Sequence, residues 1–165
     1  MRALLVGCSL IAVACGSKPT ARSFDITQLA FKDASTVDSI LGKPTRILPT
    51  LGMPDEMPGE VREYDLGPRE DPTAKSGRRG AVRFYKNRAV YFEIELPRTV
   101  KDPREALKEV GLDASNAGAY IEVPTATRWR GEIGGLIFKD VSAVGANGGR
   151  VSNVGYSQVF AALAK

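Results

Sequence analysis

Few residue types able to do covalent or metal chemistry occur in this chain, and the missing ones narrow its function. Of 165 residues none is histidine and two are cysteine. Without an imidazole, Ser-His-Asp and Cys-His nucleophile arrangements are excluded, as are zinc sites that need a histidine ligand. Serine-lysine and paired-carboxylate chemistry stay formally open. No G-x-S-x-G turn, P-loop or G-x-G-x-x-G stretch is present. We therefore expect no catalytic residue, no metal site and no cofactor, and look instead for groups suited to recognition. Leu51, Met53 and Met57 stand between Pro49, Pro54 and Pro58. An apolar loop stiffened by proline loses little entropy on docking, although the same side chains can also cover the edge of their own core. Arg128-Trp129-Arg130 combines two residue types enriched at interface hot spots. Strand alternation offers a plainer reading, with Trp129 buried and both arginines outward.

The cysteines sit near the start. Met1-Arg2 supplies one positive charge, and Ala3 to Ala14 is apolar apart from Gly7, Cys8 and Ser9. The run is shorter than the roughly 20 apolar residues that span a bilayer, so residues 1–14 read as a signal peptide. Ala12-Val13-Ala14-Cys15 resembles the lipobox of bacterial lipoproteins, whose cysteine is diacylated and becomes the new N-terminus. Leu5-Val6-Gly7-Cys8 fits that pattern better by letter, but leaves too short an apolar stretch ahead of it. A plain cut after Ala14 would instead leave Cys15 as an unpaired thiol, a liability in an exported chain. Cys15 is thus the expected lipidation site. Residues 15–23 form the tether, and Gly16 to Ser23 reach at most about 29 Å when extended. Gly16 stands where an aspartate would retain a lipoprotein at the inner membrane, which points to the periplasmic face of the outer membrane. The net charge of +4 is mild. It suits contact with anionic phospholipid headgroups, whereas nucleic acid would call for longer basic runs.

Helices must be short here. Asp33 or Ser35 caps a helix that buries Ala34, Val37, Ile40 and Leu41, and Gly42 with Pro44 closes it. Asp102, Pro103 and Glu105 open a second, with Ala106, Leu107 and Val110 inward and Gly111 at its end. Both blocks run ten residues from cap to glycine, a hint of two similar units in tandem. Phe24 to Phe31 reads as a short strand or loose helix, and Thr45 to Leu48 as a strand. Pro49 to Glu60 should be irregular, for want of backbone donors. Val61 to Leu66 alternates, Gly67 to Gly80 reads as a solvated polar loop, and Ala81 to Leu96 as a hairpin turning at Lys86-Asn87-Arg88. In that hairpin Val82 and Phe84 share a face, and Val90, Phe92, Ile94 and Leu96 share one on the return. Further strands are expected at Thr127 to Gly131, Gly135 to Val144 and Arg150 to Gln158, with a turn at Asn147-Gly148 and a terminal helix over Phe160 to Ala164. The class is α+β, with short helices packed on antiparallel sheet. Residues 24–97 form one unit and residues 98–165 a second α+β unit, able to pack together as one domain.

Leu41-Gly42-Lys43-Pro44, Glu63-Tyr64-Asp65-Leu66 and the strands from Phe84 to Ile94 resemble the SmpA/OmlA group of small outer-membrane lipoproteins, which includes a subunit of the β-barrel assembly machinery. The resemblance covers residues 28–96; β-lactamase inhibitor proteins have a related two-unit design. It implies a lipid-tethered adaptor that binds other envelope proteins, with Tyr91 and its neighbouring carboxylates as an exposed docking candidate beside the loop at 49–58. Two alternatives remain: a binder of a small or lipid-like ligand, which needs an apolar cavity of roughly 300 Å³ or more, and an inhibitor-like module acting on an envelope enzyme.

Overall fold

The helices begin where side-chain oxygens can satisfy free backbone donors. In the computed structural model, which describes residues 23–50, 59–70, 76–124, 126–144 and 157–164, Asp25, Asp33 and Asp102 cap α1 (Ile26–Leu29), α2 (Ala34–Leu41) and α3 (Pro103–Lys108) in turn. Each carboxylate accepts from a backbone N–H in the first turn, which a helix cannot pair internally. The leader, Cys15 and most of the tether lie outside the described residues, as do Leu51, Met53, Met57 and the expected Asn147-Gly148 turn.

Eight strands form one antiparallel sheet: β1 (Arg46–Thr50), β2 (Gly59–Asp65), β3 (Arg79–Tyr85), β4 (Arg88–Glu95), β5 (Ile121–Val123), β6 (Ala126–Ile133), β7 (Leu136–Val144) and β8 (Gln158–Leu163). Their order is β1-β2-β3-β4-β8-β7-β6-β5. Each half of the chain therefore contributes four strands in sequence, and the halves meet where β4 pairs with β8, Phe92 opposite Ala161. The architecture is α+β, with sheet outweighing helix.

One face of the sheet carries the core. Tyr64, Val82, Phe84, Phe92, Ile94, Trp129, Val141, Val159 and Ala161 pack in a single cluster with Ile26, Leu29, Val37 and Leu41 of the first helices and Ala106, Leu107 and Val110 around α3. All three helices thus lie on that side. The segment carrying α1 binds both halves, since Ile26 N donates to Val110 O at 2.9 Å while Phe31 N donates to Ala89 O at 2.9 Å. Arg62 holds Asp38 of α2 at 2.5 Å and Tyr64 Oη donates to the same carboxylate at 2.8 Å, fastening α2 to β2.

Several sequence expectations need correction. Phe160 to Leu163 is strand, not helix, and Ala164 lies just past its end: Val159, Ala161 and Leu163 alternate inward with Gln158, Phe160 and Ala162 outward, and strands on both sides take up the backbone groups. Pro49 does not prevent regular structure, because β1 is an edge strand whose outer side needs no donor. Ile40 is 43% exposed, being well off the stripe formed by Ala34, Val37 and Leu41. The β3–β4 turn has two residues, Lys86 and Asn87, both at positive φ. A register shift then sets Ala89 opposite Phe84, so Ala89 is buried and Val90 is not. Of the strand expected over 150–158, residues 150–156 lie outside the described residues and Gln158 falls in β8. The three-residue edge strand β5, all exposed, was not anticipated. The loop after β2 is not simply solvated either, since Arg78 is 6% exposed and donates to Leu66 O at 2.7 Å.

Both helix-closing glycines sit at positive φ, 86° for Gly42 and 80° for Gly111. A Cβ at Gly111 would come within 2.2 Å of the Asp25 carboxylate. Gly111→Ala should cost at least the roughly 1–2 kcal/mol of a left-handed position and loosen the α1 cap as well; thermal unfolding checks this. Ser157 is buried, and its Oγ accepts from Val100 N at 2.9 Å, pinning the link between the halves. Ser157→Ala should lower stability by about 1–3 kcal/mol, the cost of a buried donor left unmade.

Candidate binding face

The face opposite the helices is read directly from register. Leu48, Val61, Arg83, Tyr91, Ala162 and Asp140 line up across the strands. Beside them run Arg46, Glu63, Ala81, Glu93, Phe160, Ser142, Arg128 and Ile121. With strands about 4.8 Å apart, eight of them give a face roughly 34 Å wide. With strand lengths of about 20 Å, this approaches the ~800 Å² that a standard interface takes from one partner.

Tyr91 and Phe160 lie diagonally across the β4–β8 seam, in the middle of this face. The Arg83 guanidinium sits 5.4 Å from the centre of the Tyr91 ring. Burial raises the Tyr91 hydroxyl above its ordinary value, and neighbouring Glu93 adds to the shift. Burial likewise pushes the Glu93 carboxyl up, with Glu95 and Glu63 adding to it and Arg79 opposing. Glu95, next along β4, is tied instead: Arg69 reaches it at 2.6 Å, while Arg79 donates to it from its backbone N at 2.9 Å and from its guanidinium. The polar loop after β2 is thereby fixed to the end of the face.

On the second half, Arg128 makes two bonds to Asp140, one of them from Nε at 3.1 Å. Tyr120 Oη donates to the same carboxylate at 2.7 Å, and the Arg130 guanidinium lies 3.9 Å from the centre of the Tyr120 ring. Trp129, between the two arginines, points into the core at 1% exposure, so it is a packing residue and not a docking one. Alternation along β6 is the cause. Tyr91, Arg128 and Arg130 are therefore the expected candidates that share the helix-free face. Phe160 and Tyr120 were missed. Phe160 was hidden by the expected terminal helix, and Tyr120 lies beside a strand too short to be seen in the pattern.

A separate groove of about 620 Å³ opens on the helix side, between the edge hairpin and the β3–β4 turn. Ile47, Pro49 and Phe84 line it with Glu60, Arg62 and Lys86. Arg62 there is already engaged by Asp38 and by Glu60 at 2.6 Å. Among the described residues no cluster of three or more potential metal ligands occurs, and no helix is long and apolar enough to cross a membrane.

Comparison with protein-family models, curated proteins and solved structures gave no match. Function must be argued from the geometry.

Trp129→Ala should destabilise the fold by about 3–5 kcal/mol, as for other buried aromatics, while leaving the outward chemistry of β6 in place. Glu93 should act in the opposite sense. Its folded pKa is raised, so the folded state favours the protonated form. Its contribution to stability is full at low pH and is lost as pH rises through the folded value. Glu93→Gln should therefore raise the melting temperature at neutral pH, with the gain fading below about pH 4, where the unfolded carboxyl is itself protonated.

Proposed function

We propose that this chain is a lipid-anchored envelope protein that works as a non-enzymatic adaptor, docking partner proteins on the helix-free face of its sheet. One observation carries the reading. All eight strands contribute to a face on which no helix of the described residues lies, and Tyr91, Phe160 and Arg83 gather at its centre. Tyrosine and arginine bring large contact area at low entropic cost, and central aromatic anchors tend to dominate binding energy. The raised Glu93 is consistent with this reading, because carboxylates held against their solvation preference cluster at functional sites. Cys15 supplies the anchor, and the short tether keeps the domain near the periplasmic face of the outer membrane, where envelope proteins are the available partners.

The two halves also support a tandem design. Each runs from helix to four consecutive strands, and they join fourth strand to fourth strand, as two copies of one unit related by a local twofold axis would. This agrees with the resemblance of residues 28–96 to the SmpA/OmlA group, whose members hold one such unit. A second reading, binding of a small or lipid-like ligand, draws support from the groove beside Phe84, whose volume is sufficient.

Tyr91→Ala combined with Phe160→Ser should weaken capture of envelope partners in crosslinking by about 30-fold or more, the scale of a lost hot spot, with little change in melting temperature. Cys15→Ser should release the domain from membranes at high salt, since stable anchoring needs two acyl chains. If the double variant captures partners normally while Ile47→Ser abolishes function without unfolding the chain, the groove is the working site and the adaptor reading is wrong.

A further inference from the structure

We infer that Arg130 receives a carboxylate from the partner protein, so that the surface recognised here is acidic and lies beside apolar side chains. The inference rests on the adaptor reading and adds the partner's chemistry to it.

Arg130 leaves β6 at a register shift between Trp129 and Gly131, where the strand irregularity re-aims the side chain. Its guanidinium lies 3.9 Å from the centre of the Tyr120 ring. Tyr120 is itself immobilised, through its Oη on Asp140 at 2.7 Å and its backbone N on Arg128 O at 3.0 Å. Asp140 is engaged elsewhere. Its oxygens already accept from Tyr120 Oη and from both Nε and Nη2 of Arg128. Among the described residues no ion pair reaches Arg130. Stacking on an aromatic ring occupies the flat face of a guanidinium and leaves the N–H groups around its edge available, in the planar fork that matches a carboxylate bidentately. A guanidinium pre-ordered in this way loses less freedom when it binds than a solvated one.

The surroundings favour a protein over a lipid headgroup. Ile121 and Val123 share the face at 37% and 44% exposure. They form an apolar strip that a folded or extended partner segment can cover. Glu122 on β5 and Glu132 on β6 are exposed nearby, and Lys139 is exposed on β7 beside the register shift.

The test uses the full lipidated chain in its envelope. A photoreactive benzoylphenylalanine at Ile121 captures the partner and maps the contacting segment, and affinity is then measured with the purified partner. Arg130→Gln should weaken binding about tenfold to a hundredfold, the range for a charge-assisted bond, and Arg130→Glu further, with the melting temperature of both variants unchanged. Replacing the aspartate or glutamate nearest the crosslink by arginine should restore binding to Arg130→Glu and to no other form. If Arg130→Glu binds as wild type while the Tyr91/Phe160 double variant does not, the inference fails and the adaptor reading stands. If neither change matters, both fail. If Arg130→Glu instead loses binding to phosphatidylglycerol vesicles and the mapped segment carries no carboxylate, the site is a headgroup site and the inference is overturned.

Discussion

Everything in this fold depends on the antiparallel pairing of β4 with β8. Phe92 meets Ala161 across it, and on either side the chain runs out through three further strands to edges at β1 and β5. Without that ladder the halves would each present a long row of unpaired backbone groups to solvent. The link between them is held to the same place, since Leu96 N donates to Ser157 O at 2.9 Å and Val100 N to Ser157 Oγ. The seam also sets the chemistry of the outer surface, because Tyr91 and Phe160 become neighbours only through it.

Placing α1, α2 and α3 on one side divides the labour between the two faces. The covered face holds the large apolar side chains and the network of Tyr64, Arg62 and Asp38 that fastens α2 to the sheet. The helix-free face holds arginines laid on tyrosine rings and carboxylates bound to arginine. These contacts are local and contribute little to stability at exposed positions. Their effect is to fix side chains that would otherwise sample many rotamers.

Local signals are legible in the sequence where the chemistry is local. Asp33 with Gly42, and Asp102 with Gly111, mark helix ends because caps and left-handed closures depend on a single residue type. Alternation placed Trp129 inward and Tyr91 outward for the same reason. The failures came where the deciding partner is distant in sequence. Phe160 to Ala164, with its alanines and leucine, suits a short helix on propensity, and only β4 and β7 on its flanks make it a strand. Likewise nothing near Arg78 announces its burial, which follows from its bond to Leu66 O across the loop. The Arg130–Tyr120 platform joins residues ten apart through a three-residue strand, too short to leave a periodic trace.

The position of β8 bears on how the molecule is made. It is the last of the eight strands to be synthesised, yet it occupies the middle of the sheet. The first four strands can form a meander as they emerge, but β4 must then wait with an open edge for the rest of the chain. Until β8 arrives, that edge is available to any other strand, including the β4 of a second molecule. Such long-range closure is also slow, because the loop entropy is lost before the contacts that compensate for it are made. Assembly of this protein is therefore a race between its own final strand and its neighbours.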